Sequence, residues 1–528
     1  VSGVDIVGLT VIGHDGPVVH PLDTRIEPGR TLAIIGESGS GKTLTAKSLV
    51  GLLPRGFRAK GSARVGDTGV ALDAPQATWR RIRGATVTLL LQDPFTSLSP
   101  VHRCGDQIGW TLDAAAGRRL PRDERDRAIA ARLAEVKLPA HVARSYPHQL
   151  SGGMRQRVAI AAALAADPQL IIADEPTTAL DASNQAEILD LLRAIQRARN
   201  LCVILISHDL GLVRGRTDDV LVMRHGEVVE RGATGDVLTA PAHPYTRALL
   251  EADPALAAAP AHPTDSDQPA RAEREGTPLL AATGLVKRFG DRVVLDDVSL
   301  DIPAGRIVGL VGESGSGKST FARCVAGLEQ EYGGEIRFDG RPLAPGRRSR
   351  TPEQMQIVFQ DPYSSLNPMM SVGAILREAL KVAGRPASDL GELLTMVNLP
   401  GDFAGKRPAE LSGGQRQRVA IARALATRPR LLICDESVSA LDVSVQAQIL
   451  GLLQRLRDEL DIAILFISHD LAVVRMLADE VTVLWNGRVV ESGTCAQVLT
   501  HPRHEYTAML VAAGRRENEV SAETARED

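Results

Sequence analysis

Apolar and polar positions fall in blocks along this chain, and the blocks recur in the same order in its two halves. Strand-like apolar runs occupy Asp5–Val11 and Thr31–Ile35, and a glycine-rich loop with helical patterning follows to about Leu52. A Gly- and Arg-rich stretch without clear period comes next, then a strand over Ala85–Leu91. Residues 104–146 carry helical patterning with polar breaks, which predicts a small helical subdomain inserted in an α/β core. Beyond it the pattern predicts a helix over Val158–Ala166 and strands over Leu170–Ala173 and Cys202–Ile206. The second half repeats these elements around the apolar run Ile307–Val311. Residues 252–277 are rich in Ala, Pro and charge without periodicity, so they are expected to link two domains, 1–251 and 278–514. A polar tail, 515–528, is expected to be disordered.

The loops after the two matched apolar runs share one spacing. Gly36-Glu37-Ser38-Gly39-Ser40-Gly41-Lys42-Thr43 and Gly312-Glu313-Ser314-Gly315-Ser316-Gly317-Lys318-Ser319 both read G-x-x-x-x-G-K-[ST] between a strand and a helix. In that setting glycines let backbone N–H groups turn toward phosphate oxygens, and the start of the helix adds partial positive charge. The lysines reach the outer phosphates, and the Thr43 and Ser319 hydroxyls can hold Mg²⁺. Two such loops predict two nucleoside triphosphate sites. The register of the repeat follows from matched residues. Lys318 lies 276 positions after Lys42, and Gln360 lies 268 after Gln92. Ser412, Asp435 and His469 each lie 261 positions after Ser151, Asp174 and His208. The differences in length are expected in surface loops.

Further matched residues carry chemistry. Asp174-Glu175 and Asp435-Glu436 each end an apolar strand. The first acid of each pair can hold the metal through water, and the second can orient or deprotonate an attacking water. His208 and His469 each stand 34 positions beyond Asp174 and Asp435, in Ile-Ser-His-Asp-Leu, where a donor can contact a γ-phosphate. Ser151-Gly152-Gly153 and Ser412-Gly413-Gly414-Gln415 suit a helix start, with a capping serine and exposed N–H groups. They predict a second anion site in each copy. Two anion sites per copy suggest head-to-tail pairing, with each ATP held between one copy's loop and the other copy's Ser-Gly-Gly.

Composition narrows the field. At 528 residues the chain should hold several domains, and 44% apolar content suffices for ordinary cores. A net charge of −3 argues against nucleic-acid binding by bulk electrostatics. Apolar runs such as Leu201–Ile206 and Ile462–Ile467 are too short to cross a bilayer, and no charged-then-apolar leader follows Val1. The expectation is a cytoplasmic chain that reaches a membrane only through partners. Cys104, Cys202, Cys324, Cys434 and Cys495 stand singly and are expected to be buried thiols.

The ordered set GESGSGKT, QDP, LSGGMRQR, ADEPTTALD, SHD, matched by GESGSGKS, QDP, LSGGQRQR, CDESVSALD, SHD, resembles the ATP-binding cassette ATPases over nearly the whole chain. The stretches Gln92–Pro100 and Gln360–Pro368 resemble the Q-loops of oligopeptide/dipeptide importers, as do His243–Leu250 and His504–Leu510 further on. The resemblance implies an α/β fold of two tandem P-loop ATPase domains, each with a RecA-like core, an antiparallel β part and an inserted helical subdomain. It makes Lys42 and Lys318 the phosphate lysines, and Thr43, Ser319, Gln92 and Gln360 magnesium-associated. Asp174 and Asp435 become metal-holding acids, Glu175 and Glu436 catalytic glutamates, His208 and His469 switch histidines, and Asp181 and Asp442 D-loop aspartates. Phe289 is the candidate ring to stack on adenine; the offset of 276 puts Gly13 at the matching place, with His14 the nearby substitute.

The implied activity is ATP hydrolysis that powers import of di- or oligopeptides. Two membrane permeases would dock near the Q-loops and helical subdomains at the cytoplasmic face, served by an extracytoplasmic solute-binding protein. Three departures from the family pattern stand out: Ser437 after the second glutamate, Met154 in the first signature, and no cysteine cluster, so no iron–sulfur centre is expected. A sugar or other small-solute importer is an alternative, against which both phosphate loops are intact. A ribosome-associated tandem cassette is another, against which the linker is short and Ala/Pro-rich.

Overall fold

The computed structural model describes residues 3–91, 97–177, 182–207, 209–253, 277–359, 365–438, 441 and 443–512. These fall into two compact units, one before and one after the expected linker. That linker, apart from residues 252, 253 and 277, lies outside the described residues, as does the polar tail.

In the first unit a six-stranded sheet has the order Glu227–Ala233, Asp219–Arg224, Thr31–Ile35, Cys202–Ile206, Leu170–Asp174, Val87–Leu90. Only the first pair is antiparallel. Thr31–Ile35, Leu170–Asp174 and Cys202–Ile206 are buried at every position, because a parallel sheet is covered on both faces. That is why they appear in the sequence as unbroken apolar runs. A four-stranded antiparallel sheet has the order Pro17–Ile26, Val4–Ile12, Arg58–Val65, Thr68–Ala71. The helical subdomain consists of Cys104–Ala116, Arg122–Glu135 and two short 3₁₀ turns, and it leads into helix Gly152–Leu164. Ile108, Leu133, Val142, Ile160 and Leu164 join these helices in one core cluster.

The second unit repeats the plan. Its six-stranded sheet runs Met355–Val358, Leu431–Asp435, Ala463–Ser468, Ile307–Val311, Glu480–Trp485, Arg488–Thr494. Its antiparallel sheet runs Arg292–Ile302, Leu280–Phe289, Gly333–Phe338, Arg341–Pro342. All five cysteines are buried.

Sequence and structure part in a few places. The strand expected over Ala85–Leu91 spans Val87–Leu90, and the helix expected from Val158 already begins at Gly152. The Gly- and Arg-rich stretch holds two antiparallel strands and a helix, Gln76–Ile82. Arg58–Val65 buries only Ala59, Ala63 and Val65, so its inward face is marked mostly by alanine and gives a weak apolar signal. Strand pairing, not intrinsic preference, makes it a strand.

Trp79, on that unexpected helix, is 1% exposed and lies within the first unit's core. Its ring lies 2.4 Å from where a side chain on Gly51 would begin, so the helix is packed directly on the end of the phosphate-loop helix. Trp79→Ala leaves a cavity there and is expected to cost about 3–5 kcal/mol of the first unit's stability. A lower urea midpoint for loss of first-unit structure, followed by circular dichroism and amide exchange, checks this; an unchanged midpoint contradicts the packing role.

Candidate active site

The two phosphate-type loops connect the innermost buried strand of each unit to helices Lys42–Ser48 and Lys318–Val325. Gly36 and Gly312 have φ of 145° and 153°, and a Cβ on either would lie 2.1 Å from the carbonyl oxygen of Met223 or Leu484. Only glycine permits this approach of the loop to the neighbouring strand. Lys42 Nζ donates to the carbonyls of Gly36 (2.6 Å) and Glu37 (2.9 Å), and Lys318 Nζ to those of Gly312 (2.7 Å) and Glu313 (2.8 Å). The hydroxyls of Ser40 and Ser316 are buried in the loops without a hydrogen-bond partner. A buried hydroxyl without a partner is costly, and a phosphate oxygen at the loop would relieve that cost. The loops therefore fit a nucleotide phosphate. Gly39 and Gly315, at φ near +80°, face open space, and Gly41 and Gly317 precede the helices in left-handed conformation.

Two strands away in the sheet order, the acid pairs complete the site of each unit. Thr43 Oγ1 donates to Asp174 Oδ1 at 3.2 Å, and Ser319 Oγ to Asp435 Oδ1 at 2.9 Å. Both aspartates are buried. Burial, joined by the adjacent glutamate, pushes each of them above the ordinary carboxylate range, against the hydroxyl bond and nearby cationic side chains. A buried carboxylate with disfavoured charge and a hydroxyl beside it is a hard-oxygen donor set that fits Mg²⁺.

The glutamates show something no pattern of apolar residues reveals. Glu175 and Glu436 are left-handed, at φ of 48° and 47°, and their N–H groups donate to the carbonyls of Ile206 and Ile467, each at 3.0 Å. Non-glycine residues in this region cluster at functional sites. The turn ends the strand abruptly and is anchored on the adjacent strand. In the second unit His469 Nδ1 lies 3.5 Å from Glu436 Oε1. Burial alone would lower the His469 pKa, but the bond and charge of Glu436 outweigh it and raise it above the ordinary value. Burial likewise opposes ionisation of Glu436, yet His469 and Lys318 hold it below the ordinary glutamate range.

The signature serines behave as expected of helix caps. Ser151 Oγ accepts from Met154 N and Ser412 Oγ from Gln415 N, both at 3.3 Å. Gln415 Oε1 in turn accepts from Ser412 N at 2.9 Å, which completes a capping box. Met154 has no oxygen to do this, so the first unit keeps only half of the cap. Ser151 and Ser412 are exposed, beside Gly152, Gly153, Gly413 and Gly414. Gln92, Gln360, His208, Asp181 and Asp442 lie outside the described residues.

The aromatic position differs between units. Phe289 is 49% exposed, with Lys287 Nζ 4.8 Å from its ring centre. Lys287 is buried and ion-paired with Glu329 at 3.0 Å. At Gly13 the matching space is approached by Phe57, whose ring edge lies 3.4 Å from where a Cβ would begin. Phe57 comes from a different segment, and no positional offset could have found it. Two tyrosines were also missed as loop neighbours: Tyr245 and Tyr506 hydrogen-bond to the phosphate loops, though the sequence marks them only within a recurring His-x-Tyr-Thr pattern.

A phosphate loop, a hydroxyl-bound aspartate and a strained glutamate at adjoining strand ends, present in both units, define a tandem P-loop ATPase. The model of the ABC transporter family matches residues 19–178 and 295–439, and that of the oligopeptide/dipeptide transporter C-terminal region matches 229–278 and 490–526. The chain is 41% identical to the glutathione import ATP-binding protein GsiA of Salmonella typhimurium (strain LT2), over 97% of this chain and 89% of that protein. It is 42% identical to the GsiA of Pectobacterium atrosepticum, over 95% of this chain and 87% of that one. A solved structure, cbiO1 from Clostridium perfringens, part of the ABC transporter complex cbiONQ, is 28% identical. It covers 43% of this chain and 92% of its own, with a TM-score of 0.39. The chain belongs to the ABC transporter family, as an ATP-binding subunit with two cassettes, each followed by the oligopeptide/dipeptide-type C-terminal region.

The His469–Glu436 pair gives a titration with a definite sign. The raised histidine pKa contributes stability below the ordinary histidine value, lost as pH rises through the folded one. The depressed glutamate pKa contributes stability above the ordinary glutamate value, lost as pH falls through the folded one. Both contributions are whole between 4.5 and 6.5, the two ordinary values. Glu436→Gln should lower the His469 pKa, because burial then acts with little opposition. An imidazole NMR titration checks this; an unmoved midpoint would show that the pair is not coupled.

Proposed function

We propose that this chain hydrolyses ATP at two sites and that the hydrolysis powers import of small peptides, glutathione among them, through two partner permeases. The observation that carries the reading is that both units possess the same complete set: loop lysine, hydroxyl-bonded aspartate and left-handed glutamate. The substrate class rests on the relatives, which are named for glutathione import, and on the C-terminal regions matched at the end of each cassette.

In this mechanism Lys42 and Lys318 turn from the loop carbonyls to the outer phosphates of ATP, and the loop N–H groups and the Ser40 and Ser316 hydroxyls receive phosphate oxygens. Mg²⁺, when bound beside Thr43 and Asp174 or Ser319 and Asp435, neutralises charge on the transferred phosphoryl group. Glu175 and Glu436 orient or deprotonate the attacking water, and their left-handed backbone sets the direction of the carboxylate. His469, and His208 by its matching place, hold the glutamate and the γ-phosphate in register. By the family pattern, Gln92 and Gln360 would serve the metal, Asp181 and Asp442 the pairing of the two copies, and Phe289 the base. The Ser-Gly-Gly turn of each unit completes the nucleotide site of the other. The domain limits 1–251 and 278–514 belong to the same reading.

The assembly is proposed to sit at the cytoplasmic face of the membrane, with a solute-binding protein delivering substrate from outside. Among the described residues no helix is long and apolar enough to cross a membrane, and in this reading the permeases supply the spanning segments. The docking surfaces are marked by Val101 and Met369, matched positions shortly after the two Q-loops, which are 72% and 74% exposed. A single exposed apolar side chain is ordinary on a protein surface; what supports a partner here is its recurrence at the same place in both units.

Two measurements test the proposal. Glu175→Gln and Glu436→Gln, made singly in the assembled transporter, should each reduce ATP turnover by about 10²-fold or more, in the range typical for loss of a general base. Near-normal turnover in either variant would mean that its site does not hydrolyse. Val101→Glu and Met369→Glu should weaken copurification of the permeases and peptide uptake while leaving ATP binding by the isolated chain intact. Unchanged copurification in both would place the docking surface elsewhere.

A further inference from the structure

The oligopeptide/dipeptide-type C-terminal region has no role in the chemistry described so far, yet in both units it touches the phosphate loop. Tyr245, on helix Pro244–Ala252, accepts a hydrogen bond through its phenol oxygen from the N–H of Glu37 at 3.1 Å. Tyr506 accepts in the same way from the N–H of Glu313 at 2.9 Å. These N–H groups belong to the peptide units Gly36–Glu37 and Gly312–Glu313, whose carbonyls accept from Lys42 and Lys318. Each unit therefore holds a single peptide plane of its loop from both ends, by the loop lysine on one side and a C-terminal tyrosine on the other.

The tyrosines are themselves fixed. Both are buried. Arg224 lies 4.8 Å from the Tyr245 ring centre, and Trp485 stacks on Tyr506 at 5.2 Å and 21°. Arg224 and Trp485 directly follow Met223 and Leu484, the residues whose carbonyls crowd Gly36 and Gly312. Upstream of each tyrosine, a glutamate on the edge strand holds the chain. Glu230 accepts from Ala242 N (2.7 Å) and His243 N (3.1 Å), and Glu491 from Arg503 N (2.9 Å) and His504 N (3.1 Å). The Nδ1 atoms of His243 and His504 then accept from the tyrosine N–H groups, each at 3.1 Å. A rigid strut thus runs from the edge strand through His-x-Tyr to the loop, built twice with different ring neighbours and the same hydrogen bonds.

We infer that Tyr245 and Tyr506 are positioning residues for the phosphate loops, through which the C-terminal region of each unit sets how tightly its own loop holds ATP. The inference rests on the reading of these loops as ATP sites. The physical reason is preorganisation. The loop must keep glycines in conformations that cost backbone freedom, and its N–H groups serve an anion only while the peptide planes stay aligned. When the lysine turns from the loop carbonyls to phosphate, the tyrosine bond still holds the Gly36–Glu37 or Gly312–Glu313 plane.

The test uses the full chain with Tyr245→Phe, Tyr506→Phe and both together, which remove the phenol oxygen and keep the ring. Amide exchange is measured without nucleotide, and ATP affinity by equilibrium dialysis with labelled ATP. Single changes are read in the Lys318→Ala or Lys42→Ala background, so that one site reports. The expected result is faster exchange confined to the loop segment of the altered unit. The ATP dissociation constant at that site should rise about two- to tenfold, the range one net hydrogen bond supports, with a fall of no more than about 2–4 °C in the thermal midpoint. Glu230→Gln and Glu491→Gln, which loosen the strut upstream, should shift the same quantities in the same direction. Unchanged ATP affinity in the Phe variants overturns the inference, whether or not loop exchange quickens. So does a loss of protection spread over the whole unit, which would make the tyrosines ordinary core residues. If the Lys42→Ala, Lys318→Ala double variant still binds ATP, the nucleotide reading itself fails, and the exchange data still report on the strut.

Discussion

The bond from a loop hydroxyl to a buried aspartate, Thr43 to Asp174 and Ser319 to Asp435, is the constraint on which each site depends. It spans the end of an intervening strand, since Cys202–Ile206 and Ala463–Ser468 lie between the loop strand and the aspartate strand in the sheet order. Three parallel strands must therefore end at the same level for the bond to form. Their complete burial enforces this, because a slip in register would leave backbone groups unpaired in the core. The site sits where open α/β sheets place their ligands, beyond the carboxyl ends of the strands.

Around that bond the site carries costs that a purely structural sheet end would not. The aspartates are buried against their own charge, the glutamates are held in left-handed conformation, and serine hydroxyls in both loops lack partners. A divalent cation would relieve the first cost and a bound phosphate the third, while the second directs the glutamate. Finding all three in both units makes them a property of the repeated architecture rather than of one locality. The differences between the units lie further out: half a cap at Ser151 against a full box at Ser412, and Phe57 approaching Gly13 where the second unit has Phe289.

Much of this could be read from the chain alone, for identifiable reasons. The loops, acid pairs and Ser-Gly-Gly turns are short and local, and they recur at matched spacings, so their chemistry follows from residue type and order. The parallel strands were equally plain, because burial on both faces demands unbroken apolar runs. The antiparallel strand Arg58–Val65 and the helix Gln76–Ile82 escaped notice. The strand's inward residues are small, and the helix shows few apolar positions beyond Trp79 and Ile82.

What the sequence determined, then, is which groups are present and in what order along each copy: lysine, hydroxyl, aspartate, glutamate, histidine and serine cap. What only the tertiary structure decided is which of them meet. The left-handed turn at Glu175 and Glu436 exists because the next strand offers a carbonyl to its N–H, and the phenol of Tyr245 reaches Glu37, a residue 208 positions earlier in the chain. The approach of Phe57 to Gly13 likewise joins two segments with no common periodicity. Local spacing governs contacts within a turn or along a strand. Contacts between segments distant in the chain are set by how the sheets and helices pack, and no pattern within either segment records them.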